Sequence, residues 1–165
     1  MCREANIHCR LSHPNIVELL GYVKCFKYVG IVMEYVDGGN LDDFLSEKDQ
    51  TFPTWNCRFK IVYEIASALS FIHNYKAEKV FCHGDLKPLN VLLTCERQVK
   101  LADFGSAAFL KATGASSTTL DVDNTKEHSI IYASPELLEN IGMEKTTAMD
   151  IYRWGYYEIF SYFVE

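Results

Sequence analysis

The chain has 165 residues, 48% of them apolar, and a formal net charge of −6. That length and apolar share fit one globular domain with a substantial core, and the acidic excess argues against a nucleic-acid-binding surface or a polybasic membrane patch. No apolar run is long enough to span a bilayer, and the opening MCREANIH carries charge where a signal peptide needs an apolar stretch, so the expected location is cytoplasmic.

In chain order, residues 3–11 read as a helix. Residues 16–25 and 28–36 hold two apolar runs, VELLGYV and YVGIVMEYV, that read as paired strands, the second broken by Asp37-Gly38-Gly39-Asn40. A short helix is expected over 41–47. A longer one follows Pro53, where Ile61, Ile65, Ala68 and Ile72 recur at helical spacing. Two short strands come next, NVLLT (90–94) and QVKLADF (98–104), joined by a tight turn at Cys95–Arg97. Lys111 to Ser129, rich in Ser, Thr and Asp, reads as a surface loop. Residues 134–141 and 147–163 read as helices. The class is α+β, a strand-rich part preceding a mainly helical one. The cysteines (Cys2, Cys9, Cys25, Cys57, Cys82, Cys95) form no C-x-x-C pair and read as free thiols in a reducing compartment.

Two motifs carry chemistry. His83-Gly84-Asp85-Leu86-Lys87-Pro88-Leu89-Asn90 matches the pattern H-R-D-x-x-x-x-N at every position but one. Such residue types suit phosphoryl transfer, which asks mainly for positioning and charge neutralisation. Asp85 can accept a hydroxyl proton, Lys87 can offset phosphoryl charge, and Asn90 can offer an amide oxygen to a metal. The plain alternative is a surface turn with Asp85 as a solvated acid. Asp103-Phe104-Gly105 is weak as a tripeptide, but it ends the hairpin that starts at Asn90, so Asn90 and Asp103 can reach one ion. A hard cation such as Mg²⁺ takes oxygen ligands and shares them with phosphates.

On these motifs the chain resembles the protein-kinase family over nearly its whole length. Ser134-Pro135-Glu136 stands where the family has A-P-E. Asp150-Ile-Tyr-Arg-Trp-Gly155 is similar to its D-x-W-x-x-G, in which the aspartate holds the catalytic loop's backbone; the alternative for Asp150 is a helix N-cap. Glu4 precedes His13-Pro14-Asn15-Ile16 at the family's spacing for the glutamate of its regulatory helix. The resemblance implies a two-lobe fold, with 1–36 a remnant of the small lobe and hinge and 37–165 the large lobe up to its central helix. It implies ATP and Mg²⁺ as cofactors and a protein substrate. By the same resemblance Met33 would take the gatekeeper position, backbone groups of Glu34 and Val36 would meet adenine, Asn40 would meet ribose, and Leu92 would lie on the adenine-pocket floor. Asp85 and Lys87 are then catalytic, and Asn90 and Asp103 hold the metal. Lys87 in Asp85-Leu-Lys87-Pro is similar to Ser/Thr-specific kinases. Ser129-Ile-Ile-Tyr-Ala-Ser-Pro-Glu136 resembles the tyrosine-kinase-like group, receptor-interacting kinases in particular.

The chain departs from the pattern in two ways. Gly84 replaces the arginine that in the family pairs with a phosphate on the activation segment, and glycine cannot do so. No G-x-G-x-x-G loop or V-A-I-K lysine precedes Glu4, so the chain reads as a fragment of a longer kinase. Two functions stay open: an ATP-dependent Ser/Thr kinase seen in part, or a non-catalytic kinase-like binding module in signalling. The presence of Asp85, Lys87, Asn90 and Asp103 favours the first for the parent protein, and the missing lysine favours the second for this chain as written.

Overall fold

Thr54 opens the longest described stretch of packed helix. Its carbonyl accepts the N–H of Arg58 at 3.0 Å and its hydroxyl that of Cys57 at 3.4 Å, an N-cap that satisfies donors the first turn would leave unpaired. The structure is a computed structural model that describes residues 7–26, 28–46, 54–75, 79–111, 132–139 and 146–163. Its elements are β1 (Leu19–Cys25), β2 (Tyr28–Met33), α1 (Leu41–Ser46), α2 (Trp55–His73), β3 (Lys79–Cys82), β4 (Val91–Leu93), β5 (Val99–Leu101), β6 (Ala108–Lys111), α3 (Pro135–Glu139) and α4 (Thr147–Phe163). Short 3₁₀ turns cover Pro88–Asn90 and Phe104–Ser106. This is the α+β class expected, in two compact units: residues 1–68 with 88–105, and residues 69–87 with 106–165.

In the first unit, β1 and β2 pair antiparallel from Leu19↔Met33 to Cys25↔Tyr28, and β4 and β5 pair from Val91↔Leu101 to Leu93↔Val99. Both β4 and β5 alternate buried, half-buried, buried, which puts Val91, Leu93, Val99 and Leu101 into the core. The expected first strand, 16–25, is two pieces. Ile16 bridges Leu101 in parallel, with Val17 N–H donating to Leu101 O at 3.0 Å, and the hairpin strand begins only at Leu19. The second strand stops at Met33 rather than 36, although Glu34 N–H still donates to Glu18 O at 3.0 Å. Likewise β4 and β5 are shorter than 90–94 and 98–104. The chain turns back through Thr94, whose carbonyl accepts Arg97 N–H at 2.9 Å, with Arg97 at φ 60°. Ile7 and His8 are helical and buried; the earlier residues of the expected 3–11 helix lie outside the described residues.

Asp37-Gly38-Gly39 ties β2 to β4 rather than merely ending a strand. Gly38 N–H donates to Leu93 O at 2.8 Å and Leu93 N–H to Gly39 O at 2.9 Å. A Cβ on Gly38 would stand 2.5 Å from the carbonyl oxygens of Leu93 and Thr94, so only glycine fits this approach.

Ile61, Ile65, Ala68 and Ile72 of α2 are all at most 5% exposed, as their spacing predicts, while Trp55, Phe59 and Tyr63 of the same helix are exposed.

The second unit contains a sheet the sequence reading missed. Strands β3 and β6 pair antiparallel from Lys79↔Lys111 to Cys82↔Ala108, so Lys111 ends a strand rather than starting a loop. The remainder of the polar run, 112–129, lies outside the described residues. Helix α3 spans Pro135–Glu139 of the expected 134–141, and α4 matches its expected range. Thr146 caps α4, its hydroxyl accepting Met149 N–H at 3.4 Å, which leaves Asp150 free of the capping role. Among the described residues, no helix is long and apolar enough to cross a membrane.

Candidate active site

The first unit holds seven of the expected site residues. Met33 ends β2 and is 38% exposed. Glu34 and Val36 follow, half-buried. The side chain of Glu34 is not idle: its carboxylate accepts Glu18 N–H at 2.7 Å and the Lys100 ammonium at 2.8 Å. Burial pushes that carboxyl up, but Lys100 and the Glu18 N–H outweigh it and hold Glu34 below the usual carboxylate range. The link fastens the segment after β2 to the half-buried face of β5.

Asn40 makes an antiparallel bridge with Leu92, so the two residues expected at ribose and beneath adenine are neighbours. Asn40 also caps α1. Its Oδ1 accepts Asp43 N–H at 2.9 Å and its Nδ2 donates to the Asp43 carboxylate at 2.6 Å. A structural role for Asn40 therefore stands beside the expected one.

Asn90 and Asp103 sit at the open end of the β4–β5 hairpin. Ala102 N–H donates to Asn90 O at 2.9 Å, which sets Asp103 one residue past Asn90's partner. Asn90 is 6% exposed, whereas Asp103 is exposed and adopts φ 62°, with Gly105 N–H donating to its Oδ1 at 3.2 Å. Phe104 is buried and packs its ring 4.9 Å from the imidazole of His8. The local turn thus buries Phe104 and turns the Asp103 carboxylate to the surface. An amide oxygen and a carboxylate at one hairpin end are a donor set suited to a hard cation.

The second unit holds Asp85 and Lys87. The loop carrying them is pinned from behind by Asp150, which is fully buried. Its carboxylate accepts His83 N–H at 2.7 Å, Gly84 N–H at 2.8 Å and His73 Nε2 at 2.9 Å. Burial pushes the Asp150 carboxyl up; the His73 bond, the His83 ring and the two backbone N–H groups together hold it below its ordinary 3.8. The expectation that this aspartate grips the loop's backbone is met by these bonds. Gly84 sits at φ 76°, a conformation glycine takes without strain, so the residue in the arginine's place also has a backbone reason to be there. Asp85 N–H donates to His83 Nδ1 at 3.3 Å. The Asp85 carboxylate is flanked by two cations, Lys87 Nζ at 2.7 Å and Arg153 Nη1 at 3.1 Å.

Arg153, His73 and Lys100 were not singled out from the sequence. Arg153 had a usable signal, since it stands one helical turn after Asp150 and therefore on the same face. Lys100 and His73 had none, because their partners are 66 and 77 residues away.

A backbone-pinned acid flanked by lysine, and an amide–carboxylate pair at a hairpin end, arrive in the order of a phosphoryl-transfer enzyme. The chain belongs to the protein kinase domain family, whose profile matches residues 1–161. It is 38% identical over 154 residues to U-box domain-containing protein 33 of Arabidopsis thaliana, covering 93% of this chain and 17% of that protein. It is 39% identical over 155 residues to U-box domain-containing protein 70 of Oryza sativa subsp. japonica, covering 93% and 18%. With L-type lectin-domain containing receptor kinase I.5 of Arabidopsis thaliana it shares 38% identity over 145 residues, 88% of this chain and 20% of the relative. The chain thus spans about a fifth of the length of the curated relatives it matches. The family uses ATP and a divalent metal in phosphorylating proteins.

Proposed function

We propose that the protein transfers the γ-phosphoryl group of ATP to serine and threonine hydroxyls of protein substrates. The observation that carries the reading is the Asp85 carboxylate beside Lys87, on a loop whose backbone N–H groups at His83 and Gly84 are fixed by buried Asp150. Fixing the loop before substrate arrives is what phosphoryl transfer asks of a protein, since the chemistry is mostly positioning.

In this reading Asp85 orients the attacking hydroxyl and takes its proton. Lys87 offsets the charge of the moving phosphoryl. The backbone of Glu34 and Val36, with Met33, Asn40 and Leu92, holds the nucleotide. Asn90 and Asp103 hold Mg²⁺, which when bound supplies charge neutralisation at the phosphates. Residues 1–36 act as small lobe and hinge and 37–165 as large lobe. The setting is cytoplasmic signalling, with no nucleic acid as partner. Support comes from the ordered motifs, the family match and the donor types at each position.

The test uses the full-length protein with ATP, Mg²⁺ and protein substrates offering Ser, Thr or Tyr. Transfer to Ser and Thr is expected, with Asp85→Asn slower by about 10²–10⁴. Equal turnover in wild type and Asp85→Asn removes the catalytic assignment and leaves a kinase-like contact module.

A further inference from the structure

Arg153 lies on α4 with its side chain only 6% exposed. A guanidinium that deeply covered is stable only beside an anion. The carboxylate nearest in sequence on its own helix is Asp150, three residues earlier and on the same face. Asp150 has its oxygens committed to His73, His83 N–H and Gly84 N–H. Arg153 instead donates to Asp85 Oδ1 at 3.1 Å, while Lys87 takes Asp85 Oδ2 at 2.7 Å. One face of one helix therefore grips the loop twice: Asp150 by its backbone and Arg153 by the carboxylate at its centre.

We propose that Arg153 is a positioning residue that fixes the Asp85 carboxylate for phosphoryl transfer, an inference that rests on the catalytic reading of Asp85. The two cations hold the carboxylate from different origins. Lys87 sits two residues along the same loop and moves with it. Arg153 projects from a 17-residue helix, so its contact ties the carboxylate's orientation to a rigid element. Asp85 can turn about its side-chain torsions with Lys87 following; the bond to Arg153 removes that freedom. One oxygen is thereby held and the carboxylate plane set before a hydroxyl arrives, so less ordering is left for the reaction step.

The experiment compares full-length wild type, Arg153→Met, Arg153→Lys, Asp85→Asn and the Asp85→Asn/Arg153→Met double variant. Arg153→Met should lower kcat by about 10–100-fold, with KM for ATP changed by less than about twofold, because the loss falls on orientation of the base. Arg153→Lys, which keeps the charge and most of the reach, should recover a large part of kcat. In the Asp85→Asn background Arg153→Met should cost no further kcat, since the group it orients is gone. Wild-type kcat in Arg153→Met, a change confined to KM, or independent losses in the double variant would each overturn the proposal. Thermal melting of the same five proteins supplies a readout that needs no turnover. If wild type transfers no phosphate, the proposed function fails, and the melting cycle still decides: non-additive shifts support the Asp85–Arg153 tie and additive shifts overturn it.

Discussion

The carboxylate of Asp150 accepts the backbone N–H of Gly84, 66 residues earlier in the chain, at 2.8 Å. Its other oxygen takes the N–H of His83 at 2.7 Å, so two consecutive peptide groups of the loop end on one buried anion. Neither N–H can form a ladder or helix bond in the turn it occupies, and a buried N–H without a partner is costly. Asp150 is thus part of the loop's own structure as much as of the helix that carries it.

Asp150→Asn removes the charge and one of the two acceptor oxygens while leaving the donors in place. A buried donor that loses its charged acceptor costs about 1–3 kcal/mol. Urea denaturation of the variant should show a loss in that range. A loss below about 1 kcal/mol would mean the loop is held by other contacts.

Acid should weaken the fold in two stages. His13 has its pKa held below the ordinary 6.5 by burial, so its folded form prefers to be neutral. A group depressed on folding contributes stability above its unfolded pKa, and that contribution drains as pH falls through the unfolded value toward the folded one. The first decline therefore begins as pH drops below about 6.5. Asp150 and Glu34 are depressed from 3.8 and 4.5 and obey the same sign, so a second decline begins near pH 4.5 and continues to lower pH. Denaturation midpoints measured from pH 7 to pH 3 check this, and the gap between wild type and Asp150→Asn should narrow over the acid stage. A midpoint that rises as pH falls from 7 would contradict the assignment.

Local pattern made the helical core legible. Ile61, Ile65, Ala68 and Ile72 announce α2 by spacing alone, and the residues joined within the β4–β5 hairpin are near enough in sequence for Asn90 and Asp103 to be paired on paper. Strands β3 and β6 were not legible. Each is four residues long, and their pairing partners lie more than 20 residues apart, with nothing in KVFC or AFLK to separate a strand from a loop edge. The two contacts that most shape the candidate site, Arg153 to Asp85 and Lys100 to Glu34, join residues 68 and 66 apart. Such pairs are set by tertiary packing: Lys100 reads on paper as a solvated charge, and Arg153 offers only the face it shares with Asp150 one helical turn earlier.

Gly84→Arg should cost stability before it alters regulation. The backbone at Gly84 holds φ 76°, where a residue with a Cβ is strained by about 1–2 kcal/mol. The comparison is with Gly84→Ala, which carries the same backbone penalty without charge. Both variants should melt earlier than wild type by similar amounts. Only Gly84→Arg should then gain activity that phosphatase treatment removes, since only it brings a cation able to read a phosphate. Unchanged melting in Gly84→Ala would show that the positive φ is not a constraint.

Asp103 separates a stability cost from a functional one at a single position. Its φ of 62° lies in the left-handed region, where aspartate and asparagine are tolerated better than other non-glycine residues because their short side chains bond locally. The local bond here runs from Gly105 N–H to Asp103 Oδ1 at 3.2 Å, and an asparagine amide oxygen can accept it equally. Asp103→Asn should therefore keep stability within about 0.5 kcal/mol of wild type. It removes the formal charge that the proposed metal requires, so phosphoryl transfer should fall by at least about 100-fold. Asp103→Ala loses the same charge and also the local bond, and alanine pays the left-handed penalty, so it should lose transfer and about 1–2 kcal/mol of stability together. Paired denaturation and phosphate-transfer measurements on the two variants check both halves. Transfer retained in Asp103→Asn overturns the metal-holding role of Asp103. Equal stability in Asp103→Asn and Asp103→Ala shows instead that the turn is not maintained by its left-handed aspartate.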